Sequence, residues 1–160
     1  MPRNTRPHVA LAATLILSLA AAGACGKPPD PVLGLVESLR EAAENRDAQA
    51  LADRLTDDFK GNGGVGKAEA TASLRRYFAA YESVSLAVYD TTVSRRTDSE
   101  ADVGFRVEFS GAARKIGGLE GFLPPSAVER FDLRLVRSGS DWKVASAEWK
   151  PIEPIVSPAP

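Results

Sequence analysis

The sequence predicts an α+β domain in which three N-terminal helices pack on an antiparallel sheet of about four strands. Apolar residues recur at helical spacing between Val32 and Tyr81. From Ser83 onwards they alternate with polar residues, as they do in strands with one buried face. Successive strands of this kind favour an antiparallel meander.

The first 24 residues have the pattern of a secretory leader. Arg3 and Arg6 precede an uncharged run from Val9 to Ala24, which is short for a bilayer-spanning helix of about 20 apolar residues. The segment Ala22-Gly23-Ala24-Cys25-Gly26 is similar to a lipobox, in which cleavage precedes a lipidated cysteine. We therefore expect lipid on Cys25. The alternative is ordinary cleavage after Ala24.

The single cysteine supports the lipidated alternative. Cys25 has no second cysteine with which to form an internal disulfide in an oxidising compartment. One acyl chain binds a membrane only marginally, whereas two or more anchor a protein stably. Lipoproteins carry two or three chains, and by the same resemblance Gly26 favours the outer membrane. The expected location is the cell envelope, with a lipidated tether at residues 25–30 and the domain facing the periplasm.

Three helices are predicted at the start of the domain. Asp30 and Pro31 form a capping pair for a helix to about Asn45. Asp47 is predicted to cap a second helix, and the third runs from about Lys67 to Tyr81. The apolar face of the second helix comprises Ala48, Leu51, Ala52, Leu55 and Phe59.

The segment Gly61–Ala68 matches the phosphate-binding loop motif G-x-x-x-x-G-K-S/T at every position except the last. That motif requires a preceding strand and a hydroxyl residue after the lysine. Here a helix is predicted before Gly61, and Ala68 follows Lys67. We interpret the segment as a turn that joins two helices.

The strands follow in the second half. Val84, Leu86 and Val88 begin the first, and alternation from Ala101 to Phe109 marks the second. The third has Phe131, Leu133 and Leu135 on its inward face, and the last runs from Asp141 to Lys150. Residues 111–126 form an apolar excursion that packs on the domain edge or covers a cavity. The domain thus spans 31–150, and the proline-rich tail 151–160 is predicted to be disordered.

Composition limits the chemistry of the mature chain. The whole chain has 20 Lys+Arg against 21 Asp+Glu, and loss of Arg3 and Arg6 leaves a slight acidic excess, which argues against nucleic-acid binding. The only histidine, His8, lies in the leader. Without it the domain has no Ser-His-Asp arrangement and lacks the usual zinc ligands. We expect no metal and no cofactor, and the composition favours a non-enzymatic role while leaving enzymatic activity open.

The order of elements resembles the nuclear transport factor 2-like superfamily. The similarity rests on the segments 47–51, 55–59 and 66–69 and on the final strand with Trp142, and it extends from Pro31 to Trp149. The resemblance implies a curved sheet that wraps around a helix to form a cone with an open end. Members include isomerases, dehydratases, cyclases and transport adaptors, so the fold does not fix the function.

Candidate site residues are those expected inside the cone. Alternation from Val88 places Asp90 on the inner face, and alternation from Trp142 places Glu148 there. Tyrosine hydroxyls add polar groups to an apolar lining. The ligand-binding candidates are Tyr77, Tyr81, Asp90, Phe105, Trp142 and Glu148.

Three functions remain open. The first is a non-enzymatic lipoprotein that binds a small apolar ligand or an envelope protein in its cone. The second is an isomerase or cyclase that uses Asp90 or Glu148 as a base, as the resemblance implies. The third is an assembly module that forms homodimers through its sheet.

Overall fold

The computed structural model describes residues 30–114 and 126–152. The predicted leader, Cys25, residues 25–29 of the tether, the centre of the apolar excursion and the tail from 153 lie outside these ranges. No helix in the two ranges is long and apolar enough to cross a membrane.

Helix α1 (Pro31–Glu44) confirms the prediction for the start of the domain. The Asp30 carboxylate accepts a hydrogen bond of 2.9 Å from the Val32 N–H, and Pro31 occupies the first turn. Both features are favourable at a helix start, where backbone N–H groups have no partner within the helix. The buried side chains of α1 are Val32, Leu35, Val36 and Ala42.

The second predicted helix is wrong in its second half. Helix α2 (Ala48–Asp53) has only six residues, and the chain then forms strand β1 (Leu55–Lys60). Leu55 and Phe59 are both buried, and their spacing of four is also the spacing of one helix face. A spacing of four also keeps two side chains on one face of a strand, so the local pattern fits both structures and the pairing of β1 with β5 decides between them.

A short 3₁₀ turn (Asn62–Gly64) joins β1 to helix α3 (Lys67–Ala79). A strand therefore precedes the glycine-rich segment, contrary to the sequence interpretation. The lysine is nevertheless occupied elsewhere, because Lys67 Nζ donates to the Leu55 carbonyl at 3.2 Å and lies 3.0 Å from Asp57 Oδ1. The segment lies between a strand and a helix, as a phosphate-binding loop does. It lacks an unpaired lysine and the Ser or Thr that follows the lysine in that motif.

The sheet has five strands, not four. After β1 come β2 (Tyr81–Thr97), β3 (Glu100–Ala113), β4 (Ser126–Ser138) and β5 (Asp141–Pro151). Their spatial order is β1-β5-β4-β3-β2. Strands β2 to β5 form the predicted antiparallel meander, whereas β1 pairs with β5 in parallel. The helices are not all N-terminal to the sheet, because β1 precedes α3.

The helices pack on one face of the sheet, which we call the inner face. Its largest cluster unites α1 and β1 with the inward rows of β3, β4 and β5. A second cluster joins the ends of α1 and α2 to α3 and the start of β2. The opposite, outer face is polar, as the alternation of β3 and β4 predicts. One-sided burial of this kind is the usual state of an antiparallel sheet.

Candidate functional site

Two tyrosines of the predicted site lie together between α3 and the sheet. The rings of Tyr77 and Tyr81 are 4.9 Å apart, and both contact the ring of Phe109, at 5.6 and 5.1 Å. Tyr81 is fully buried, whereas Tyr77 is 39% exposed. Burial, a hydrogen bond with Tyr81 and the nearby charge of Glu129 raise the pKa of the Tyr77 hydroxyl.

Phe105 belongs to a second aromatic group on the inner face. Its ring stacks on Phe131 of β4 at 5.6 Å, and Phe131 stacks on Trp149 of β5 at 6.2 Å. Phe105 is buried, while Phe131 and Trp149 are half-buried. The row thus becomes more accessible from β3 towards β5.

Trp142 is placed apart from this row. It is buried in the large cluster near the start of β5, and the Arg95 guanidinium lies 6.0 Å from its ring centroid. Arg95 also pairs with Asp30. This pairing lowers the pKa of the Asp30 carboxyl, and the Val32 N–H contributes to the same effect.

The predicted inner-face placement of Asp90 is wrong. Tyr89 pairs with Arg106 and Thr92 with Gly104, so two residues of β2 stand opposite Phe105 in a β-bulge. Asp90 has a left-handed backbone (φ 54°) in this bulge. Its carboxylate lies 3.1 Å from Arg106 Nη1. Arg106 points to the outer face, so the Asp90 carboxylate is in solvent contact there.

The placement of Glu148 is wrong for the same physical reason. Leu135 pairs with Val144, but Arg134 pairs with Ser146, which makes Ala145 an extra residue in β5. After this irregularity Ala147 is buried and Glu148 is exposed opposite Asp132. Glu148 lines an outer-face groove of about 410 Å³. Strict alternation fails wherever one residue is inserted.

The structure reveals an inner-face carboxylate that the sequence analysis missed. Glu129 pairs with Val107 on β3, between the rungs Phe109–Ala127 and Phe105–Phe131. Residues directly opposite in a sheet point to the same face, so Glu129 faces the helices. Counting back by two from the inward Phe131 would have found it, had β4 been extended to its actual start.

Glu129 is half-buried among apolar and aromatic side chains. Burial raises the pKa of its carboxyl, because removal from water disfavours the charged form. Within residues 30–114 and 126–152 no hydrogen bond or ion pair to this carboxylate is formed. We call Glu129, Tyr77, Tyr81, Phe109, Phe131 and Trp149 the inner aromatic site.

The described residues also bear on metal binding. They contain no group of three or more His, Cys, Asp or Glu side chains that could hold a metal ion. The polar side-chain groups of the inner aromatic site are one carboxyl, two tyrosine hydroxyls and the indole N–H of Trp149.

Comparison with known proteins gives structural neighbours only. No protein-family model matches the chain, and no curated protein sequence matches it. Solved structures do match. A scytalone dehydratase-like protein from Novosphingobium aromaticivorans superposes with a TM-score of 0.66 at 14% identity, over 77% of this chain and 83% of that one.

Two further neighbours have the same fold. An NTF2-like protein of unknown function in nutrient uptake from Rhodospirillum rubrum gives a TM-score of 0.60 at 23% identity, over 78% of this chain and all of that one. The hexachlorocyclohexane dehydrochlorinase LinA type 2 gives 0.59 at 14% identity, over 81% of this chain and 92% of that one. The chain therefore has the nuclear transport factor 2-like fold that its sequence predicts.

Proposed function

We propose that the protein is a lipid-anchored envelope protein that binds a small, mainly apolar ligand at the inner aromatic site. The observation that carries this proposal is Glu129, a half-buried carboxyl on an apolar face with no partner in the described ranges. The Glu129 oxygens remain in contact with solvent, because among the described residues that are not exposed Thr56 Oγ1 is the one fully buried side-chain nitrogen or oxygen without a partner. A ligand that presents one hydroxyl, amine or carbonyl group to Glu129 would replace this water with a hydrogen bond.

The aromatic surroundings define the rest of the ligand. Phe131, Trp149 and Tyr77 are accessible in part, so flat apolar surface is available beside the carboxyl. Aromatic side chains bury large areas on binding. Ligand sites are commonly apolar with a few polar groups that fix orientation. The site therefore suits a molecule with one polar end and an apolar body.

The binding proposal can be tested on the soluble domain, residues 26–160, secreted to the periplasm and purified without detergent. Native mass spectrometry is expected to detect a retained small molecule. With the neutral dye Nile red as probe, Tyr77→Ala is expected to weaken binding about fivefold or more through lost apolar contact. Leu33→Ala is the matched control, because Leu33 is 45% exposed and lies on α1, outside the site. Equal binding by both variants would contradict the proposal.

The anchor is tested separately in cells. Lipidation at Cys25 predicts incorporation of a labelled fatty acid and recovery of the chain with membranes. Cys25→Ser is expected to abolish the label and to release the domain. An unlabelled wild-type chain in the soluble fraction would support ordinary cleavage after Ala24.

A second candidate function is catalysis by the same carboxyl. A Glu with a raised pKa, whose charge acts on the Tyr77 hydroxyl, can donate or accept a proton, and two of the structural neighbours are described as a dehydratase and a dehydrochlorinase. This moves the catalytic alternative from Asp90 and Glu148 to Glu129. Turnover of any ligand identified above should then be lost in Glu129→Gln and retained in Asp90→Asn.

A further inference from the structure

A group of arginines that form no ion pair with any described carboxylate lies at the end of the domain formed by α2 and the C-termini of α1 and α3. Six other arginines of the described ranges form ion pairs: Arg40, Arg95, Arg96, Arg106, Arg130 and Arg134. The other six described arginines form none with described residues: Arg46, Arg54, Arg75, Arg76, Arg114 and Arg137. Of these, Arg46, Arg75 and Arg114 line one groove of about 580 Å³, which we call the arginine groove.

Arg46 has an unusual backbone for its residue type. The N–H groups of Arg46 and Asp47 donate to the carbonyls of Ala43 and Ala42, at 2.9 and 2.8 Å. This pattern ends α1 in a Schellman motif, in which the residue with positive φ is usually glycine. Arg46 occupies that position with φ 56°. The protein thus retains a charged side chain where glycine would be less strained.

The arginines come from three separate elements and are partly oriented by the backbone. Arg46 Nη1 and Arg114 Nε both donate to the Tyr81 carbonyl, at 2.8 and 3.2 Å. Arg75 Nη2 donates to Gln49 Oε1 at 2.9 Å. These contacts use one N–H of each guanidinium and leave the others available.

The remaining lining of the groove does not neutralise this charge. Asp47 is the one carboxylate among the lining residues, and its Oδ1 accepts from the Ala50 N–H at 2.8 Å, where it caps α2. Three guanidinium groups therefore face one carboxylate. The lining also contains small and apolar side chains, including Ala48 and Phe78.

We propose that the arginine groove binds a soluble oxyanion, a small molecule that bears phosphate or carboxylate groups. Guanidinium groups suit these anions because their N–H donors match two oxygens at once. The position in the fold favours a soluble ligand over a lipid headgroup. The groove is at the C-terminal end of α1, a helix of 14 residues that is about 21 Å long, whereas the proposed lipid anchor at Cys25 precedes the N-terminus of this helix in the chain.

The test uses the full chain in nanodiscs of zwitterionic phosphatidylcholine. Inorganic phosphate and citrate are titrated by calorimetry at constant ionic strength, with empty nanodiscs as the blank. We expect saturable binding of at least one of the two anions, and the lower dissociation constant identifies phosphate or carboxylate as the preferred group. Arg46→Gly and Arg75→Gln are expected to weaken it about tenfold or more, the loss typical of a charge-assisted contact.

The variants separate binding from folding. Glycine suits the positive φ of residue 46, and Arg75 is exposed, so both variants should fold. Arg76→Gln is the matched control, since Arg76 is the next residue on α3, bonds Ser73 and does not line the groove. Binding that is unchanged in Arg75→Gln, or reduced equally in Arg76→Gln, overturns the proposal. Binding only to nanodiscs that contain anionic phospholipid also overturns it.

Discussion

At the scale of single residues, the half-buried carboxyl of Glu129 couples stability to pH. Its carboxyl lies between two aromatic groups on the inner face and is half-buried. Burial raises the pKa of this carboxyl above the ordinary value of 4.5. The folded state therefore holds the proton more tightly than the unfolded state. Stability from this group is fully present below pH 4.5 and is lost as the pH rises through the folded pKa.

The first prediction follows from this loss of stability with rising pH. Glu129→Gln removes the ionisable group and is expected to raise the melting temperature above neutral pH, while at about pH 4 the variant and the wild type should melt alike. Thermal unfolding followed by circular dichroism at several pH values measures this. Glu108→Gln is the control, because Glu108 is exposed on the outer face in the neighbouring rung. A lower melting temperature for Glu129→Gln above neutral pH would contradict the assignment.

At the scale of elements, one side chain connects the loop after β1 to the far end of β5. Asn62 Nδ2 donates to the Trp149 carbonyl at 2.6 Å, and the Trp149 N–H donates to Asn62 Oδ1 at 3.1 Å. The amide group thus replaces a strand residue beside β5. Trp149 also belongs to the inner aromatic site, so Asn62 helps to position that site.

The second prediction concerns this pair of hydrogen bonds. Asn62→Ala leaves the N–H and the carbonyl of Trp149 without their partner, which typically costs about 1–3 kcal/mol for buried groups. We expect a lower urea midpoint with an unchanged slope. Asn45→Ala is the comparison, since Asn45 is exposed and its side chain forms no hydrogen bond with a described residue. Equal midpoints for the two variants would show that the Asn62 contacts contribute nothing measurable.

For the whole molecule, the distribution of charge bears on assembly. Four ion pairs occupy the outer face of the sheet: Arg96–Asp102, Arg106–Asp90, Arg130–Asp132 and Arg134–Glu100. The centre of a stable protein interface is usually depleted of charged side chains. This outer face therefore resembles a solvated surface more than the core of a homodimer.

The third prediction is that the soluble domain is a monomer. Sedimentation velocity over a broad range of concentrations should give one species of constant mass. Hydrogen exchange at outer-face amides of β3 and β4 should likewise not depend on concentration. A dimer whose formation protects these amides would instead support assembly through the sheet.

Local patterns in the sequence determined much of this protein. The capped helix α1, the alternation of β3 and the meander of β2 to β5 were predicted correctly, because helical and strand periodicity are properties of neighbouring residues. The overall order of elements was sufficient to predict the fold. These features need no knowledge of which distant segments pair.

Only the tertiary structure decided the details on which the sites depend. Strand β1 exists through its pairing with β5, and two single-residue insertions turn Asp90 and Glu148 to the outer face. Long-range pairing also brings the charge of Glu129 to act on Tyr77, and it brings three arginines from different parts of the chain to one groove. Contacts between residues far apart in the chain set the strand register and decide which side chains come together. Local periodicity carries no information about either.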